Sequence, residues 1–293
     1  MSGFYQQSDG SREEYISQIY QLIDTFPAMP TFVSHVVDLL HDPNANAQEI
    51  AERIKFDPGM TANILKLANS AQFGSQRRIG SLQEAIVRLG LRQLFQMVVS
   101  AGIAHRMTRA LPGYELRPDE LLRHSVWAAV AASELCEATG IKTPDLMFTA
   151  GLLHDLGKLI LDDYVNKEKG RIEDTVARND MVFDSAESDI IGMNHAEVGS
   201  QILDQWRFPD ELISAARWHH HPEYAEEHAT IVIVVHIADA LAYSEGVGCG
   251  IDGMKYELSS EAINRLGLKK DTLELVASQT LTKMQRLEQL LKQ

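Results

Sequence analysis

Cysteine is nearly missing from this chain. Cys136 and Cys249 are the only two, they lie far apart, and neither sits in a CxxC pair. That argues against a disulfide scaffold and against a thiolate zinc site. Long apolar runs are missing too. The greasiest segment, IVIVVHIADALA at 231–242, is short of the ~20 residues that a bilayer span needs, and it carries His236 and Asp239. Residues 1–12 are polar and lack the apolar core of a secretory signal, so a cytoplasmic protein is expected. Positive charge is scarce: 27 basic residues face 41 acidic ones, for a net charge of −14. Such a surface disfavours nucleic acid and anionic membrane as partners. Strand-like alternation is almost absent.

Helical periodicity is what the 293 residues do contain, and it predicts an all-α fold. The stop and start signals agree with it. Asp57-Pro58 precedes TANILKLAN, Thr143-Pro144 precedes DLMFTAGLLHDLGKLIL, and Pro209 precedes DELISAARWHHH. Ser81 and Glu84 have capping-box spacing. Short helices are expected near 31–41, 47–55, 59–68 and 81–89, and a longer one over LRQLFQMVVSAGIAHRM. The stretch 111–118, with two prolines and a glycine, reads as a boundary. A second helical region follows from 119 to about 246, and a final helix runs from 271 to 291. The spacing in that last helix allows it either to cover the bundle or to mediate self-association. The short runs at 182–183 and 190–193 read as strand or loop.

The chemistry lies in histidines and acids placed against apolar surroundings. His154-Asp155 interrupts GLLHDLGKLIL, which is otherwise apolar. A buried carboxylate needs compensation, either from backbone hydrogen bonds or from a bound cation. Glu120 and His124 are four residues apart and share a helix face. Taken alone, that pair is equally a solvated edge. His195 begins a helical pattern. His219, His220 and His221 are consecutive; on a regular helix they diverge by ~100° each, so Pro222 must end the helix if more than one is to enter a pocket. Asp239 breaks the most apolar helix with no Lys or Arg nearby, and His236 lies three residues earlier. Imidazoles mixed with carboxylates suit Fe, Mn, Zn, Co or Ni better than Mg or Ca. The number of candidate ligands favours two divalent ions, with Asp155 able to bridge them. Two such ions can activate water and hold phosphate oxygens. Lys158, one turn after His154, is either a phosphate contact or a solvated end of the helix.

The order His124, His154-Asp155, Asp239 resembles the HD superfamily of metal-dependent phosphohydrolases. FPAMPTFVSHVVDLL, IAERIKFDPGMTANILKLANSAQFG and RIGSLQEAIVRLGLRQL are more specific, and are similar to the HDOD family, the HD-related output domain. The resemblance covers roughly 21–243. It implies an N-terminal extension at 1–20, an N-terminal helical lobe at 21–112, an HD-like metal-binding helical bundle at 113–246 and C-terminal helices at 247–293. It also implies a role in bacterial signal transduction, acting through a partner protein.

The ligand pattern is also similar to that of HD-GYP domains. That likeness assigns one ion to His124, His154, Asp155 and Asp239, and a second to Asp155, His195, His219 and His220. Glu120 would serve a third position or the surroundings of the first two. The text after the paired histidines, HPEYAEEHAT, lacks the GYP-type loop, which disfavours cyclic di-GMP as a substrate. Two readings therefore stand: a metal-binding regulatory module, or a phosphohydrolase acting on a nucleotide or other phosphoester with Asp155 and Lys158 as its catalytic groups.

Overall fold

A computed structural model describes residues 8–28, 79–141, 144–256 and 258–291, together with Thr61 and Leu65. Among the described residues every regular element is a helix, apart from one isolated bridge between Leu111 and Leu116. The all-α expectation holds. The helices expected near 31–41 and 47–55, and nearly all of the one near 59–68, lie outside the described residues.

The chain forms two compact units, one of residues 27–105 and one joining 1–26 to 106–293. The second unit thus holds the N-terminal segment, residues 106–246 and the C-terminal helices together.

In the smaller unit the expected cap is present. The Ser81 hydroxyl accepts from the Glu84 amide at 3.1 Å, and the Glu84 carboxylate accepts from the Gly80 amide at 3.3 Å. This cap opens helix α2, Leu82–Met107; helix α1, Ser8–Thr25, precedes it in the chain and belongs to the larger unit. Gly90, at φ 79° and ψ 161°, breaks α2 where the sequence places a boundary.

The larger unit contains α1 and α3 Glu120–Thr139, α4 Pro144–Leu153, α5 Lys158–Asn179, α6 Phe183–Ile191, α7 His195–Gln205, α8 Asp210–Trp218, α9 Ala229–Ser244, α10 Ser260–Arg265 and α11 Lys270–Leu291. Helix α1 looks polar, yet it buries Ile19 and Ile23. Tyr15 donates to Glu168 at 2.7 Å, and Arg12 donates to the Ser188 carbonyl at 3.1 Å, so α1 grips α5 and α6. Segments 182–183 and 190–193 are not strand: 183–191 is helix α6, which ends at Gly192 with φ 100°. The final helix takes the covering role. Val276, Ala277, Thr280 and Met284 are buried, and Lys283 pairs with Glu134 of α3.

Close crossings set the site. A Cβ on Gly151 of α4 would stand 2.7 Å from the Ala129 Cα of α3, so these backbones nearly touch. A Cβ on Gly157 would stand 2.0 Å from the His195 carbonyl oxygen and 2.6 Å from the Gly199 amide, so the start of α5 is pressed onto α7.

The single helix expected over DLMFTAGLLHDLGKLIL is corrected as well. It stops at Leu153, turns through 154–157 on i to i+3 bonds such as Lys158 N–H to the Asp155 carbonyl at 3.1 Å, and restarts at Lys158. The turn lets the adjacent side chains His154 and Asp155 face one centre.

Gly157→Ala should destabilise the protein by about 1–3 kcal/mol or more, because the clash is with backbone. Gly170→Ala, with nothing within 4 Å of its Cβ, should be neutral or stabilising by up to ~1 kcal/mol. Thermal denaturation of both variants checks the contrast.

Candidate metal centre

Helices α3 and α9 and the turn that follows α4 bring the first cluster together. His124 Nε2 lies 2.9 Å from Asp239 Oδ1 and 3.5 Å from Asp155 Oδ2. His154 Nε2 lies 3.4 Å from each of the same two oxygens. Each ring is aimed from behind. His124 Nδ1–H donates to the Val247 carbonyl at 3.0 Å, and His154 Nδ1–H to the Gly151 carbonyl at 2.8 Å. With Nδ1 committed to the backbone, Nε2 is the nitrogen each ring turns to the centre, where it can present a lone pair to a metal.

The turn at 154–157 and helices α7 and α8 supply the second cluster. Asp155 turns its other oxygen, Oδ1, toward His195 Nε2 at 3.5 Å and His219 Nε2 at 3.7 Å. His195 Nε2 lies 2.8 Å from His220 Nε2. Helix α8 stops at Trp218, so His219 and His220 leave the regular helix and both enter the pocket, with ring centroids 4.0 Å apart. His219 Nδ1–H donates to the Ala216 carbonyl at 2.8 Å. His236 supports this turn: its Nδ1–H donates to the His219 carbonyl at 2.7 Å, and its Nε2 accepts from the Ser259 amide at 2.9 Å.

These two clusters, His124, His154 and Asp239 on one side and Asp155, His195, His219 and His220 on the other, each converge tightly enough to hold an ion. Donor atoms bound to one ion at about 2.1 Å stand roughly 3–3.4 Å apart, close to the separations above. Four buried atoms at the centre lack a hydrogen-bond partner: His154 Nε2, His219 Nε2, Asp155 Oδ1 and Asp239 Oδ2. Buried polar atoms left unmatched are costly, and divalent cations, one at each cluster, would satisfy all four. The donor set therefore fits divalent metal.

Electrostatics point the same way. Burial would raise Asp155, but Lys158 and the imidazoles of His154, His195 and His124 hold it far below the usual carboxylate range. Asp239 is likewise held well below that range, against burial, by His154 and His124. Burial alone would lower His154, yet Asp155 and Asp239 carry it up to about 9. Burial and neighbouring imidazoles push His219 and His220 well below the ordinary histidine value.

Lys158 is 1% exposed rather than solvated. Its ammonium donates to Asp155 Oδ2 at 2.6 Å and also to Asp252. Those carboxylates, with Asp239, overcome the effect of burial and raise its pKa, so it stays charged.

Glu120 lies in neither cluster. It begins α3, one turn outward from His124, and accepts from the Arg117 amide at 2.7 Å and the Arg117 guanidinium at 3.0 Å. His221 turns away to Asp184 at 2.7 Å. Sequence reasoning missed two acids. Asp252, in the segment after α9, holds Lys158 and accepts from the Tyr243 hydroxyl at 2.6 Å. Glu187 of α6 accepts from His195 Nδ1–H at 2.7 Å. An acid inside an unrecognised helix and one in a glycine-rich loop carry no periodic signal.

The match to known proteins is extensive. A family model described as the HDOD domain matches residues 26–222, about two thirds of the chain. An uncharacterized protein of Treponema pallidum (strain Nichols) is 27% identical over 228 residues, 76% of this chain and 43% of that protein. The chain therefore spans less than half the length of that curated relative. Among solved structures, an HDOD domain protein of unknown function from Geobacter sulfurreducens has 25% identity and a TM-score of 0.71, covering 94% of this chain and 96% of the other. A protein of Shewanella amazonensis SB2B, named provisionally as a phosphohydrolase, has 23% identity and a TM-score of 0.66, covering 90% and 93%. One of Marinobacter aquaeolei VT8, named provisionally as a signal transduction protein, has 18% identity and a TM-score of 0.67, covering 96% and 65%. The last two show likeness of fold. Among the described residues no helix is long and apolar enough to cross a membrane.

Ion uptake must displace the proton from His154, whose pKa is about 9. Zn²⁺ or Mn²⁺ binding at pH 7.5 should therefore release protons, and affinity should rise with pH up to about 9. Calorimetry in buffers of different ionisation enthalpy measures the release.

Proposed function

This chain belongs to the HDOD family, and from that premise we propose that it is a regulatory module of bacterial signalling. In this reading its HD-type centre holds two divalent ions and its output is contact with a partner protein in the cytoplasm. His124, His154, Asp155 and Asp239 would hold one ion; Asp155, His195, His219 and His220 would hold the other. Fe, Mn, Zn, Co and Ni all suit this donor set.

The observation that carries the reading is burial. His124, His154, Asp155, His195, His219 and Asp239 are each at most 1% exposed, and only His220 is half-buried. The segment after α9 lies directly over them: Val247 bonds His124, a Cβ on Gly248 would stand 2.6 Å from the His124 Cβ, and Asp252 ties down Lys158. A centre so enclosed stabilises a shape better than it admits a phosphoester.

A second reading, metal-dependent hydrolysis of a nucleotide or other phosphoester, draws support from Asp155. Its two oxygens face different clusters, the arrangement of a carboxylate shared by two ions. Bound ions would supply Lewis acidity and a lowered water pKa. Asp155 would orient the clusters toward each other, and Lys158 would neutralise charge at their edge. Movement of the 246–256 segment would open the side of the centre at His124 and Lys158 to a substrate. Cyclic di-GMP is the less favoured substrate, for want of the GYP-type loop.

Protein purified without nickel resin should contain divalent metal, and Asp155→Ala should lose most of it. Against nucleotides, cyclic dinucleotides and a chromogenic phosphodiester, the metal-loaded wild type should turn over no faster than the variant. Metal-dependent turnover clearly above the variant would overturn the module reading in favour of the hydrolase.

A further inference from the structure

Glu187 is fully buried in α6, and the ion pair it makes among the described residues is with His195. Its charge is met by three hydrogen bonds: from His195 Nδ1–H at 2.7 Å, from the His195 backbone amide at 3.1 Å, and from the Tyr114 hydroxyl at 2.6 Å. Two of the three come from one residue, and that residue opens α7. Glu187 therefore fixes both the backbone and the ring of His195, and turns Nε2 toward Asp155 and His220.

The other candidate ligands differ. His124, His154 and His219 donate Nδ1–H to neutral carbonyls. His195 alone among them donates to a carboxylate. A carboxylate behind an imidazole fixes its tautomer and makes the opposite nitrogen a stronger donor.

We propose that Glu187 is the positioning residue of the second cluster, setting its metal affinity through His195 while leaving the His124–His154–Asp239 cluster untouched. The inference rests on the metal reading above. It makes the two sites unequal by construction: one imidazole backed by an anion, the others by backbone. Helix α6 is itself held by α1, through Arg12 and the contact of Gly192 with Ile16, so the N-terminal helix braces the residue that aims His195.

The test is a Co²⁺ titration of the metal-stripped full chain, followed by the visible ligand-field absorption of the bound ion. Glu187→Gln preserves size, and its carbonyl can keep both bonds from His195 with the amide group donating to the Tyr114 hydroxyl, but it removes the charge. It should weaken one of two binding steps about 10–100-fold and alter the spectrum of that step alone. His195→Ala should affect the same step, and the double variant should add little to His195→Ala. His124→Ala should affect the other step. Tyr114→Phe removes one donor, keeps the charge, and should leave both steps within a few-fold of wild type.

Circular dichroism separates misfolding from a local effect. Should Glu187→Gln fail to fold, Glu187→Asp takes its place, with the same step weakened and the charge retained. Wild type taking up two ions with Glu187→Gln indistinguishable from it overturns the inference alone, as does a loss shared equally by both steps. Wild type taking up no Co²⁺ overturns the inference and the metal reading together.

Discussion

Two aspartates with almost no contact with water govern this molecule. Asp155 and Asp239 sit at the junction of five helical segments, each 1% exposed. A buried carboxylate is tolerable only where positive charge or hydrogen-bond donors surround it. Lys158 covers part of the need at Asp155, but one oxygen of each aspartate has no hydrogen-bond partner. The fold has built a cavity of carboxylates and imidazoles, a donor set that a divalent cation would complete.

Much of the surrounding architecture follows from keeping that cavity small. Gly151 lets α4 approach α3 until His154 faces His124, and Gly157 lets α5 lie against the start of α7 so that Asp155 reaches His195. Neither position has room for a β-carbon. The breaks in helix at 154–157 and after Trp218 have the same effect: each presents two consecutive polar side chains to one point, which a continuous helix cannot do. Residues behind the ligands then fix their direction, with Val247, Gly151 and Ala216 carbonyls and the Glu187 carboxylate each taking a ring proton.

The residues that converge were largely legible in the sequence, because each violates its surroundings. An aspartate amid IVIVVHIA, or His-Asp amid GLL and LGKL, stands out against an apolar background. The all-α class was legible from periodicity and caps. Other features had no such contrast. Glu187 and Asp252 look like ordinary surface acids in polar context. Helix α1 reads as a polar extension because its buried face is narrow, essentially Ile19 and Ile23. Glu120 shares a face with His124, but helix spacing does not tell how far out along α3 the cavity extends, and Arg117 meets it at the rim. The interruption after Leu153 was hidden because LLHDLGKLIL has no proline and only a glycine to mark the turn.

X-ray absorption spectroscopy of the native protein at the edge of its bound metal tests the central claim most directly. The account predicts a first shell of mixed imidazole nitrogen and carboxylate oxygen, with a second metal about 3.5–4 Å away. An all-oxygen shell, or a purified protein with no bound divalent ion and no uptake when ions are supplied, would contradict it.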